Sequence, residues 1–200
     1  MKKGKSGQPT APGIKSLYQP GMTDTNTYAE MVAKTLKELG VPSSFAAQRA
    51  WQLQPECSDL VSIGTDVVGR EQQMERSAAT VWQSMASAAA EEGVLLLAIS
   101  AFRSFDYQRK IIERKLANGQ PLEQILRVSA LPGYSEHHTG QALDIGFPGC
   151  EPLTEEFEHT PAFAWLALHA ARFNFSMSYP RDNPHGVIYE PWHWRHRQAA

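Results

Sequence analysis

Apolar positions first recur at helical spacing. Over residues 25–39, Met31, Val32, Leu36 and Leu39 share a face and Gly40 follows as a stop, which predicts an amphipathic helix. A second, short helix is expected from Ser43 or Ser44, after Pro42, carrying Phe45, Ala46 and Trp51. The longest periodic stretch covers residues 66–92. There Met74, Ala78, Val81, Trp82, Met85 and Ala89 fall on one side, Glu71, Gln72, Glu75, Arg76 and Gln83 mostly on the other, and Gly93 ends it. The pattern then changes: residues 94–99 are an unbroken apolar run of strand length, as expected of a central strand buried on both faces. Helical spacing returns over 106–116, with Tyr107, Ile111, Ile112 and Leu116 inward, and again briefly over 121–128.

In the second half, residues 143–147 read as a strand stopped by Pro148-Gly149, and the acidic stretch 151–158 as a surface loop. Thr160 caps a further helix with Pro161 at its first position, where the missing N–H costs nothing. Its buried stripe is Phe163, Leu166, Ala170 and Phe173. Residues 175–179 and 186–189 are candidate strands on either side of a turn at 180–184. Residues 1–24, rich in Lys, Gly, Pro, Ser and Thr, hold too little apolar area to offset ordering and are expected to be a flexible arm. The organisation predicted is an arm (1–24), a helical extension (25–60) and a main domain (61–200).

Composition narrows the function classes. With 42% hydrophobic residues among 200, the main domain can bury a core without disulfide support. Cys57 and Cys150 permit one disulfide and do not demand it. A net charge of −2 provides no basic field for nucleic acid or an anionic membrane surface. No apolar run approaches the roughly 20 residues of a transmembrane helix. The opening MKKGKSGQPTAPG carries positive charge without a hydrophobic stretch, so it does not read as a signal peptide. The expectation is a soluble, cytoplasmic chain as written, or a periplasmic or envelope protein if a signal has been removed.

The candidate chemistry centres on Ser135 to Asp144, SEHHTGQALD. An imidazole and a carboxylate seven positions apart are ordinary zinc ligands, and a catalytic zinc site takes three protein ligands with one position open. Gly140 permits a bend that brings both to one point. Asp144 lies in an apolar run, where an unpaired carboxylate is expensive and a cation removes the cost. His137 and His138 compete for the ligand role, and spacing does not choose between them. Ser135 and Glu136 are placed to contact a ligand's outer nitrogen or a substrate. The third ligand candidate is His193, in Glu190-Pro191-Trp192-His193. Pro191 disfavours helix at Glu190 and favours a strand end, where Glu190 can serve as a general base beside a metal. Trp192 and Trp194 bracket His193 as a dry wall. Arg103, just past a predicted strand, is either a fixed charge for a substrate carboxylate or oxyanion, or a surface residue paired with Asp106. Gln108 can add an amide to the same pocket. His159, His169, His185 and His196 have no partner at ligand spacing.

Taken together, Ser100-Ala-Phe-Arg103-Ser with Gln108, then SEHHTGQALD, then Glu190-Pro-Trp-His193-Trp-Arg resemble the VanY-type D-alanyl-D-alanine carboxypeptidases. Their zinc peptidase group also includes the L,D-carboxypeptidases of peptidoglycan recycling and the zinc-bearing domain of hedgehog. The family pattern, Ser-x-His-x-x-Gly-x-Ala-x-Asp followed by Glu-x-x-His, is complete, and the resemblance runs over about 66–195. It implies zinc held by His137, Asp144 and His193, with Glu190 as catalytic base and Arg103 steadying the substrate's carbonyl or carboxylate. Ser135 and Gln108 become substrate contacts, and Trp192 pocket wall. The implied fold is α+β: a small, mostly antiparallel sheet bearing the metal, with helices packed on its other side. The implied activity is release of terminal D-alanine from peptidoglycan stem peptides or muropeptides. The same site would also serve an L,D-carboxypeptidase or an endopeptidase. A non-catalytic zinc-stabilised binding module is the further alternative, disfavoured by the presence of both Glu190 and Arg103. Departures are Phe102 where the family usually has Tyr, and the lack of a basic residue near Ser178.

Overall fold

A computed structural model describes residues 25–42 and 44–197. The arm expected over 1–24 and the candidate cap Ser43 lie outside these. Helix α1 (Thr25–Glu38) is followed by Gly40 at φ +72° and the single-turn α2 (Phe45–Gln48), with Trp51 just beyond.

The expected helix over 66–92 is only partly helical. Its first ten residues belong to an antiparallel hairpin of β1 (Leu60–Thr65) and β2 (Glu71–Glu75), with Leu60 opposite Glu75. Turn chemistry decides this. Asp66 Oδ1 accepts from the backbone N–H groups of Val68 and Arg70, and Gly69 takes φ +82°. Gln72 and Met74 are both buried, two apart, which is the period of a strand and not of a helix. Helix α3 (Arg76–Glu91) then starts, with the Glu75 carboxylate accepting from the N–H groups of Ser77 and Ala78. Its stripe of Ala78, Trp82, Met85 and Ala89 is buried as expected.

Strand β3 (Leu97–Ser100) is shorter than its apolar run and lies at a sheet edge, not at the centre. Helix α4 (Phe105–Ala117) opens immediately after Arg103, with Ser104 Oγ accepting from Tyr107 N–H; Tyr107 itself is half-exposed instead of inward. The single-turn α5 (Leu122–Ile125) follows, then β4 (Ala142–Gly146). The acidic segment 151–158 is not wholly loop, since the 3-10 turn Glu155–His159 buries Phe157. Helix α6 (Pro161–His169) is capped by Thr160 Oγ1 on Phe163 N–H. Strands β5 (Phe175–Met177) and β6 (His193–His196) complete the sheet. Residues 186–189 form no strand; Ile188 N–H is taken by the Arg127 carbonyl and Asn183 Nδ2 holds the Val187 carbonyl.

The four-stranded sheet has the order β3-β4-β6-β5 and is antiparallel throughout. Every residue of β4 is buried, so the strand's alternation separates two environments. Leu143 and Ile145 join Trp82, Met85, Trp165, Leu166, Phe175 and Trp194 in the main core with α3 and α6. Asp144 faces the other way. A second core joins Tyr28, Val32 and Leu36 of α1 to Phe105 and Ile112 of α4, Ile125 of α5, and Leu126 and Leu131. The architecture is therefore α+β, with helices packed against one face of a small antiparallel sheet. Cys57 and Cys150 are free thiols, so the permitted disulfide is not formed. Among the described residues no helix is long and apolar enough to cross a membrane.

Candidate active site

The sheet register brings two of the expected ligands together. Asp144 on β4 is the direct cross-strand partner of His193 on β6, so both side chains project from the same face. The third comes from a 3-10 turn, Glu136–Thr139, that delivers His137 just before β4. Gly140 closes this turn at φ +67°, and a Cβ there would stand 2.6 Å from the Glu75 backbone nitrogen. Only glycine lets the turn dock on the β2–α3 junction, where Gly140 O accepts from Glu75 N–H at 2.9 Å.

Each ring is oriented by its outer nitrogen. His137 Nδ1 donates to the Ala101 carbonyl at 2.6 Å, which leaves the Nε2 lone pair facing Asp144 Oδ1 at 3.3 Å. His193 Nε2 donates to Glu136 Oε2 at 3.0 Å, which turns Nδ1 to the same Oδ1 at 2.9 Å. Ligand atoms of His137, Asp144 and His193 all lie within 4.8 Å of one another, and all three residues are buried. His138 points away. Its Nδ1 donates to the Arg103 carbonyl at 2.6 Å and its Nε2 accepts from Gly133 N–H at 3.1 Å, so both nitrogens are occupied within the fold. Of the adjacent histidines, His137 is the one with a ring nitrogen towards Asp144.

Two imidazole nitrogens and a carboxylate oxygen, with the outer nitrogens already held by a carbonyl and a carboxylate, are the donor chemistry of a catalytic zinc site. The electrostatics agree. Burial and then the Arg103 charge bring His137 down to about 4, a neutral ring whose Nε2 lone pair accepts from an Arg103 terminal nitrogen at 2.7 Å. Burial opposes ionisation of Asp144, yet His137, His193 and Arg103 together hold it well below the carboxylate range. Burial likewise opposes charge on His193, but hydrogen bonds to Asp144 and Glu136 push it up to about 10; two carboxylates therefore converge on positive charge here.

Around this centre is a cleft of about 360 Å³. Arg103, Ser135, Glu190, Trp192 and Tyr179 line it with the three ligand residues. Arg103 is aimed by four bonds, one of them from a terminal nitrogen to His137 Nε2 at 2.7 Å. Its Nε donates to Ser100 Oγ at 3.2 Å, one terminal nitrogen to Gln108 Oε1 at 3.4 Å, and the other to Asp144 Oδ2 at 2.8 Å. The alternative pairing with Asp106 is not the one that positions it. Gln108, expected as a substrate contact, is fully buried behind Arg103, with its amide nitrogen on the Ala130 carbonyl at 2.7 Å. Glu190 opens a reverse turn in which Pro191 and Trp192 are central and His193 N–H returns to the Glu190 carbonyl at 3.1 Å. Its carboxylate lies 4.0 Å from His193 Nδ1, beside the ligands but not among them, and burial pushes it up to about 7.

Comparison with known proteins gives the family. The family model for VanY, D-alanyl-D-alanine carboxypeptidase, matches residues 71–199. The chain belongs to the VanY family. It is 34% identical over 150 residues to YodJ of Bacillus subtilis (strain 168), covering 70% of this chain and 54% of YodJ. Among solved structures it is similar to the LdcB LD-carboxypeptidase at 33% identity, over 70% of this chain and 69% of that one, with a TM-score of 0.63. It is also similar to a variant of the vancomycin-resistance D,D-pentapeptidase VanY in complex with Zn(II), at 28% identity, over 75% and 80% of the two chains, with a TM-score of 0.52. The chain spans about half the length of the curated relatives it matches.

Within the VanY frame, the residues that sequence reasoning passed over are those that hold others. Arg195 donates to Glu136 Oε1 at 2.9 Å and to Gln54 Oε1 at 3.2 Å, linking the segment after α2 to the His193 carboxylate partner. Ser178 Oγ donates to Glu136 Oε2 at 2.6 Å, and the Tyr179 ring stacks on His193 with centroids 4.8 Å apart. Arg195 stood in the quoted motif, but nothing in its spacing announced Glu136 as its partner.

Proposed function

We propose that this chain is a zinc-dependent carboxypeptidase that releases the terminal D-alanine of peptidoglycan stem peptides. The observation that carries it is the convergence of His137 Nε2, Asp144 Oδ1 and His193 Nδ1 beside a further acid, Glu190. A zinc ion held by those atoms supplies polarisation of the scissile carbonyl and lowers the pKa of the attacking water towards about 7. Glu190, buried and held near neutrality, takes a proton from the attacking water and carries it to the departing amine. Arg103, fixed by Ser100 and Gln108, faces negative charge as it develops on the carbonyl oxygen. Trp192 and Tyr179 exclude bulk water from the cleft wall.

A second reading, L,D-carboxypeptidase, is favoured by the likeness to LdcB. One digest separates the two. Protein purified without chelator is assayed for zinc, then incubated with pentapeptide and tetrapeptide stems. The first reading expects one zinc per chain and alanine released from the pentapeptide. Alanine from the tetrapeptide alone would replace it with the second, and protein free of zinc that cannot be loaded would end both. Glu190→Gln is expected to keep zinc while losing about 10³-fold or more in kcat.

A further inference from the structure

The cleft holds a cation that the mechanism leaves unused. Arg103 is matched by Asp144 at 2.8 Å. Lys115, in the last turn of α4, lines the same cleft and is half-buried. Its Nζ donates to Ser129 Oγ at 2.7 Å, and it forms no ion pair with any carboxylate among the described residues. Burial and then the nearby Arg103 charge lower its pKa, with Glu190 pulling the other way. A lysine kept only for its stem runs its ammonium out to water. This one lines the cleft together with Ile111, Val128 and Tyr107, and the Ser129 hydroxyl is the partner of its ammonium. An ammonium held so is incompletely solvated and short of an anion.

We propose that Lys115, steadied by Ser129, binds the free α-carboxylate of the substrate's C-terminal residue and so directs cleavage to chain ends. The proposal rests on the carboxypeptidase reading above. An internal peptide bond presents a neutral amide where a chain end presents an anion, so a cation beyond the reacting carbonyl distinguishes them by charge. Arg103 is tied to Asp144 and His137, whereas Lys115 lines the same cleft with donor capacity to spare: Ser129 takes one of its three N–H groups. Ammonium and carboxylate then form a charge-assisted hydrogen bond in a partly desolvated setting.

The test compares the zinc-loaded full chain with Lys115→Met and Lys115→Arg on two versions of one stem pentapeptide, the free acid and its C-terminal carboxamide. Lys115→Met is expected to lose about 10- to 100-fold in kcat/KM on the free acid, mostly through KM, and to change little on the carboxamide. Lys115→Arg should recover part of the loss. Equal losses on both peptides would mean a structural role or a side-chain carboxylate as the ligand, and no loss on the acid would mean no role; either overturns the proposal. Calorimetric binding of both peptides to Glu190→Gln, with and without Lys115→Met, keeps the two readings apart. Were the wild type to cleave neither peptide, the carboxypeptidase reading would fall. The preference for acid over amide in binding, and its loss with Lys115→Met, would still decide the proposal.

Discussion

Glu136 accepts the Nε2–H of His193 at 3.0 Å, and this bond determines which nitrogen of the ring faces Asp144. The carboxylate is itself held by Arg195 and Ser178. Glu136→Ala would free the ring to rotate and strand Arg195. Zinc affinity, measured by competition with a chromogenic chelator, is expected to fall by about 10- to 100-fold. Unchanged affinity would show that Tyr179 stacking alone orients His193.

The adjacent histidines should behave in opposite ways. His137→Ala removes a ligand and is expected to abolish stoichiometric zinc. His138→Ala leaves the Gly133 N–H and the Arg103 carbonyl without their partners. It should retain zinc while costing about 1–3 kcal/mol for each polar group left buried. Zinc content and urea midpoints of the two variants read this directly.

Gly140→Ala combines two penalties, a left-handed φ of +67° and a Cβ within 2.6 Å of the Glu75 nitrogen. The expected destabilisation exceeds about 1 kcal/mol. Because the turn carrying His137 must move, zinc binding should weaken along with thermal stability. A variant that loses stability but keeps full zinc affinity would place the strain elsewhere in the turn.

Away from the metal, Glu56 contributes a pH dependence of its own. Burial pushes its carboxyl from an ordinary 4.5 up to about 7, against the pull of its bond from Phe105 N–H. The folded state therefore holds this proton more tightly than the unfolded state. The group's contribution is full below the ordinary value and is lost as pH rises through the folded one. The stability difference between wild type and Glu56→Gln should shift against the wild type between about pH 4 and pH 8. A difference that stays constant across that window would contradict the assignment.

Much of the site was legible because its chemistry is local. His137 and Asp144 lie on either side of one glycine, and Glu190 and His193 lie within one turn. The long helix expected over 66–92 failed for a physical reason. Met74 is the one apolar residue of Glu71–Glu75, too few to display a period of two, and the choice was made by Asp66 and Gly69, which turn the chain onto β1. The edge position of β3 was equally hidden, since an apolar run reports burial and not neighbours. Gln108 lies close enough in sequence to Arg103 to be read as a pocket residue. Its burial depends on the Ala130 carbonyl, twenty-two residues away, which no local pattern reveals.

Because Asp144 and His193 oppose each other on neighbouring strands, the ion's grip depends on the alignment of the ladder as well as on the ligands themselves. A single residue inserted within Ala142–Gly146 would rotate the acid into the packing of Trp82 and Leu166 and present Leu143 or Ile145 to the peptide instead. This strand can exchange its apolar side chains for others of similar size, yet it cannot change its length by one.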